Sequence, residues 1–221
     1  MATASSNTST LHQPDDIRQM LELDLVLGRF RPRERLVEDE LMARFDTKRH
    51  VIRSVLAELE RSGLVERRPN KGAMVRDYAP DEVEELYDLR ASLHALAVDR
   101  FPLPSDPETV ARLDEIARHH ERAVEEGNFA EVISRNNAFH DALFDLCGNR
   151  FLTAQIHQLG LAANAIRSWR ISNPALLQQA VREHREMIDA LGKGDRARLR
   201  ELVVNHIMPS KDLYLRDTSL A

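Results

Sequence analysis

The sequence predicts a mainly α protein in two parts: a small N-terminal domain of three helices closed by a two-stranded hairpin, then an antiparallel all-α bundle of about six helices. Three observations predict it. Apolar residues recur at helical spacing along most of the chain. Only over residues 64–76 does the period shorten to that of strands. Charge is also divided unevenly: residues 29–76 hold thirteen Lys/Arg against eight Asp/Glu, residues 77–221 seventeen against twenty-four, within a net charge of −5. A basic head on an acidic body directs any polyanionic partner to the head.

At 221 residues the chain accommodates two domains, and 43% hydrophobic with 30% charged residues is the composition of a soluble globular protein. No run approaches the roughly 20 apolar residues of a membrane-spanning helix, so no membrane partner is expected. The opening MATASSNTST has neither a basic start nor an apolar stretch and does not read as a secretory signal. Residues 1–12 are expected to form a disordered tail. The lone Cys147 excludes an intrachain disulfide, which suits a cytoplasmic location.

The head is expected over 13–77. Its first helix, over 15–28, places Ile17, Met20, Leu21 and Leu25 on one face, starts on Asp15 and Asp16, and ends at Gly28. FRPRERL reads as a connector. A short helix fits 37–45, with Leu41 and Phe45 inward. A third, over 48–62, carries the stripe Val51, Ile52, Val55, Leu56 and Leu59 and stops at Gly63. LVERR (64–68) and GAMVR (72–76) are strands around Pro69-Asn70-Lys71, with Gly72 easing the turn. Three helices and a hairpin with a basic tip outline a winged helix-turn-helix, a DNA-reading module. Burial of the 48–62 stripe leaves Lys48, Arg49 and Arg53 outward on the helix that would enter the major groove. There an arginine fork can take guanine O6 and N7 together, or grip a phosphate. Lys71 would reach a phosphate or the minor groove.

Residues 31–75, RPRERLVEDELMARFDTKRHVIRSVLAELERSGLVERRPNKGAMV, resemble the DNA-binding domain of the GntR family. Pro32, Leu36, Glu38, Leu41, Phe45, Arg49, Arg53, Leu56, Leu59, Gly63, Leu64, Val65, Asn70, Lys71, Gly72 and Val75 keep its pattern and spacing. The resemblance implies that Arg49 and Arg53 contact operator DNA and that the wing around Lys71-Gly72, Asn70 included, lies beside them. Three positions depart from the pattern. Lys48 replaces a Ser that would cap the helix, a role Thr47 is expected to take; Val51 replaces a Pro; Arg33 stands where a Gly is usual.

The body, 78–221, has almost no strand signal. A helix opens at Pro80-Asp81 and runs to about Arg100. Five more fit 107–126, 129–147, 150–170, 174–191 and 195–215, punctuated by Gly127-Asn128, Gly148-Asn149, Ser172-Asn173-Pro174 and Gly192-Lys193-Gly194-Asp195. Six helices on short turns make an antiparallel bundle. His140 lies one turn beyond Asn136, so both can face one point. His184 and His206 lie on helices expected to run antiparallel. Three imidazoles and an amide oxygen would hold a divalent transition metal with positions left open. By spacing alone, ordinary hydrogen-bonded histidines explain the pattern as well.

NNAFHDALFDLCGNRFL (136–152), EHREMIDALGKGD (183–195) and the distal His206 resemble the FCD ligand-binding domain of the FadR-type branch of GntR regulators. That resemblance implies a metal site at Asn136, His140, His184 and His206, holding Zn, Ni or Mn, with Asn136 standing where an Asp is usual and removing one negative charge. It implies a small organic acid as effector, and Arg90, in DLRASLHAL, as a residue that binds it. The pattern's Glu four residues on is His94. Arg167, Trp169 and Arg170 are further candidates to line a pocket, and His119, His120 and His157 match no motif. The function expected is a ligand-responsive repressor acting as a homodimer on operator DNA. The alternative is a metal-dependent enzyme acting on a small carboxylate. Against it stand the absence of HExxH, of a nucleophile with its base, and of a Gly-rich phosphate loop.

Overall fold

The protein was analysed as a computed structural model that describes residues 13–68, 72–171 and 173–218; the expected tail, 1–12, lies outside these. The head consists of α1 (Pro14–Val26), β1 (Arg35–Leu36), α2 (Glu38–Phe45), α3 (Arg49–Arg61), β2 (Val65–Arg68) and β3 (Gly72–Val75). The two short strands form as expected, within one residue at each end. The connector was misread: Arg35–Leu36 pairs with β3, giving an antiparallel sheet of order β1-β3-β2 with Arg35 opposite Met74 and Val65 opposite Val75. A two-residue strand is too short to show alternation, which is why its sequence reads as loop. The preceding turn sets Arg33 at φ 65°, the left-handed region that a Gly would occupy freely, and holds it through Arg33 N–H to the Val75 carbonyl (3.1 Å) and an ion pair with Asp77 (2.7 Å).

The body comprises α4 (Pro80–Val98), α5 (Pro107–Glu125), α6 (Phe129–Asp145), α7 (Arg150–Ala162), α8 (Asn164–Ile171), α9 (Pro174–Lys193), α10 (Arg196–Asn205) and α11 (Met208–Thr218). The predicted punctuation acts as caps: the side chains of Asn128, Asn149, Asn173 and Asp195 accept first-turn amides of α6, α7, α9 and α10. Two of the six expected helices are each divided. The last breaks after Asn205 because Pro209 has no N–H to donate to the carbonyl four residues back. The 150–170 helix breaks at Ala163, and the new axis of α8 carries Asn164 and Arg167 to the bundle's interior cavity.

Packing decides how the two parts meet. Ile17, Leu21, Ile52, Leu56, Leu59 and Leu64 of the head belong to one continuous apolar core with Val83 and Tyr87 of α4, Ile166 of α8 and Tyr214 of α11. A second core, including Leu113, Phe139, Leu143, Met187, Leu191 and Leu199, fills the bundle. The seam between head and body carries directed contacts too. Tyr78 donates to the Ala162 carbonyl (2.8 Å), Tyr214 donates to Asp77 (2.7 Å), and the Tyr78 N–H donates to Tyr214 (2.9 Å). Gly63 sits against α7 so closely that a Cβ there would lie 2.7 Å from the Ala162 Cα.

Candidate functional site

The head presents α3 as an amphipathic helix whose buried face is Ile52, Val55, Leu56 and Leu59. Lys48, Arg49 and Arg53 therefore lie outward, the two arginines 49% and 58% exposed. Thr47 does not cap the helix: the N-cap is Lys48, the position of the motif's Ser, and its side chain makes no cap bond. The opening of α3 thus keeps its positive dipole end toward solvent, beside three cationic side chains. Acidic neighbours from α2 hold these cations in place. Arg53 donates through Nε to both oxygens of Glu38 (3.0 and 3.1 Å), which does not engage its terminal Nη fork. Arg49 donates to Asp39 (2.5 Å) and weakly to Glu38 (3.4 Å). Gly72 opens β3 at φ 75°, a value that a side chain resists, while Asn70 and Lys71 lie outside the described residues.

The body holds a partly open cavity of about 110 Å³, with room for several water-sized spheres. His140 of α6, His184 of α9 and His206, just past α10, meet there, with one ring nitrogen from each within 4.8 Å of the others. His184 and His206 are almost wholly buried. His206 Nδ1 lies 2.5 Å from Glu183 Oε2, so it donates to the carboxylate and turns Nε2, with its lone pair, toward His140 Nε2 at 3.2 Å. Burial, then the neighbouring His206 and Arg167, holds His140 well below the usual imidazole range, and it is neutral at pH 7. Ring nitrogens at roughly 2.0–2.1 Å from a common ion stand about 2.9–3.4 Å apart, so the His140–His206 spacing fits a shared divalent metal. The carboxylate behind His206 is the outer partner that orients a ligating imidazole. Asn136 lines the same cavity.

Arg90 of α4 enters the cavity 4% exposed, its guanidinium over the Tyr87 ring at 4.8 Å and its Nε and Nη1 without hydrogen-bond partners among the described residues. Sequence reasoning passed over several other lining residues. His94, noted only as a departure from a pattern, is buried against Phe144 (4.4 Å between rings), and burial together with Arg90 lowers it to about 3. His120 is buried beside His184, with ring centroids 5.0 Å apart. Its position in the series Leu113, Ala117, His120 placed it on the inward face of α5, which was the available signal. Asn137 and Asn164 both accept from Arg167, the Asn137 bond being 2.8 Å. His157 pairs with Asp141 (3.1 Å) at the cavity's more exposed side, and His119 is on the surface. The side chains of Trp169 and Arg170 lie outside those described.

One wall of the cavity is not part of the bundle. Glu22 and Val26 of α1, the first helix of the head, line it opposite residues of α6, α7 and α8. The cavity and the head therefore share a helix.

Residues 13–75 match the family described as bacterial regulatory proteins, gntR family, and residues 85–208 match the FCD domain. Among relatives, YdhC of Bacillus subtilis strain 168, an HTH-type transcriptional regulator, is 27% identical over 180 residues, covering 81% of this chain and 80% of its own. The HTH-type transcriptional repressor GlaR of Escherichia coli K12 is 26% identical, covering 85% and 89%. Among solved structures, a GntR regulator from Rhodococcus sp. RHA1 superposes with a TM-score of 0.71 at 20% identity, over 91% of this chain and 97% of its own. Escherichia coli McbR/YncC gives 0.68 at 19% identity, over 93% and 98%.

Proposed function

Because this chain belongs to the GntR family of bacterial regulatory proteins and carries an FCD domain, we propose that it is a homodimeric repressor of the FadR-type branch whose hold on operator DNA is set by a small organic acid. It is a DNA-binding regulator with an FCD-type ligand-binding domain, and its relatives are regulators rather than enzymes. We assign DNA reading to 13–77 and effector binding with dimerisation to 78–221. In the head, Arg49 and Arg53 take base edges or phosphates, Lys48 a phosphate, and the Asn70-Lys71-Gly72 tip the adjoining backbone. In the body, His140, His184 and His206, with Asn136, hold a divalent metal such as Zn, Ni or Mn. The ion, when bound, supplies an electrophilic anchor for a carboxylate. Arg90 takes the same ligand by its guanidinium.

The observation that carries this reading is the shared helix: α1 is packed into the head's core and lines the effector cavity. A ligand that displaces Glu22 or Val26 shifts the head directly, and two heads must match two half-sites to bind tightly.

A gel-shift assay on DNA from upstream of the coding sequence tests the reading. Arg49→Ala with Arg53→Ala removes two contacts of about 1–3 kcal/mol each, so affinity falls at least about thirtyfold with the melting temperature unchanged. Full sequence-specific affinity in the double variant overturns the assignment. Native mass spectrometry of the same preparation reads the dimer and its metal.

A further inference from the structure

We propose that His50 is a base-reading residue of the head, donating to a guanine in the major groove and so fixing one position of each operator half-site. The proposal rests on the DNA-reading role given to the head, and it adds to Arg49 and Arg53 a residue that no sequence motif singled out.

The direction in which α3 presents its side chains leads to it. An α-helix turns by about 100° per residue, so the buried Ile52, Val55, Leu56 and Leu59 converge on one line along α3. On the same rotation His50 stands within about 10° of the line opposite, Ser54 and Ala57 about 30° from it, Arg53 about 70° and Arg49 about 110°. A helix laid in the major groove with its apolar face on its own domain turns that opposite line to the base edges and its flanks to the phosphates on either side. His50 also lies in the first turn of α3, the part of a recognition helix that meets bases. His50 and Ser54, one turn apart, are exposed, and the small Ala57 that continues their row leaves room for close approach. The two arginines sit on the flank facing α2, where Asp39 and Glu38 hold them. His50 makes no hydrogen bond or ion pair among the described residues, so it meets DNA with both ring nitrogens unspent. In either protonation state an imidazole carries at least one N–H donor. Guanine offers that donor two acceptors, N7 and O6, and no competing donor, whereas adenine sets its amino group beside N7.

Selection of bound duplexes from a randomised library by the full chain, followed by competition gel shifts on the selected site, tests it. The unaltered protein should select a guanine at one position of each half-site. His50→Ala should relax that position alone, lowering discrimination there by about fivefold or more, and should leave the salt dependence of binding unchanged because no phosphate contact is lost. His50→Asn, whose amide pairs with adenine N6 and N7, should move the preference at that position from guanine to adenine. Lys48→Ala provides the contrast, weakening binding to every sequence and making the salt dependence shallower. Circular dichroism melts report whether each variant is folded. An unaltered base preference in His50→Ala overturns the proposal, and a shallower salt dependence in that variant shows a phosphate contact instead. Loss of selection in Arg49→Ala with Arg53→Ala, alongside an unaltered preference in His50→Ala, leaves the DNA-reading role standing without His50. Selection of no sequence by the unaltered protein overturns both.

Discussion

Head and body deploy charge in opposite ways. The head keeps its interior apolar except for Asp24, which is buried and paired with Arg29 and Arg44, and puts its functional cations outside, where Arg49 and Arg53 are half exposed and steadied by Glu38 and Asp39. The body does the reverse, drawing Arg90, His94, His120, His184 and His206 into its interior. A surface reader meets a large polyanion already hydrated and loses little by staying wet. A sensor for a small anion needs its polar groups desolvated and preplaced, since only then do a few contacts suffice for recognition. The two interiors therefore differ in degree: the head buries one paired carboxylate within an apolar core, while the body buries a cluster of groups that prefer water.

The seam that joins the two regions offers the largest perturbation. Gly63 has φ +73°, and an added Cβ would meet the backbone of Ala162 at 2.7 Å; Gly28 has φ +68° and nothing within 4 Å. Left-handed backbone costs a side chain about 1–2 kcal/mol, and forced repacking about 1–3 more. Gly63→Ala should therefore lower stability by about 3 kcal/mol in a urea titration, and Gly28→Ala by only about 1. Equal losses would mean that head and body are not in contact at this point, and that the shared-helix coupling has no firm seat.

The regions also differed in how far the sequence disclosed them. The head was legible because its information is local: forty-five consecutive residues carry the stripe, the cap positions and the outward arginines. What escaped there was β1, two residues long, and the N-cap of α3, which is settled by backbone entry rather than residue type. The body's punctuation was equally legible, since Gly and Asn at turns act through their own φ and side-chain oxygens. Its cavity was only partly so. His140, His184 and His206 came from motif resemblance, and the structure brings them together. Arg167, expected as a pocket-lining candidate, does line the cavity, whereas His94, Asn137 and Asn164 join it only through the directions of α4, α6 and α8, and the α7–α8 break leaves no clear sequence mark.

Acid should act on the body through its buried imidazoles. His94 falls to about 3 in the folded chain, against 6.5 unperturbed, so it stays neutral where its unfolded counterpart becomes protonated. The unfolded state then binds more protons between about pH 6.5 and 3, and stability drops as pH falls through that window, by about 1.4 kcal/mol per unit for this group. Denaturant titrations at pH 6.5, 5.5 and 4.5 would read the slope, and His94→Gln should remove that share of it. An unchanged slope in the variant would transfer the acid sensitivity to other groups and weaken the contrast between the two interiors.

The smallest effect is expected at Glu38, and it asks whether the acids around the head's arginines restrain them or aim them. Glu38 takes Arg53 by Nε (3.0 and 3.1 Å), not by the terminal Nη fork that reads guanine. An exposed ion pair of this kind is worth about 0.2–1 kcal/mol. If its role is to aim the fork, Glu38→Gln should weaken binding to the specific site while the lost negative charge slightly strengthens binding to random duplex. The ratio of the two affinities would then fall by roughly two- to fivefold. Competition gel shifts at two salt concentrations separate these contributions, because the random-sequence component is the more salt-sensitive. A ratio that rises instead would show that Glu38 holds Arg53 back from DNA, making the surface acids of the head a restraint rather than a scaffold.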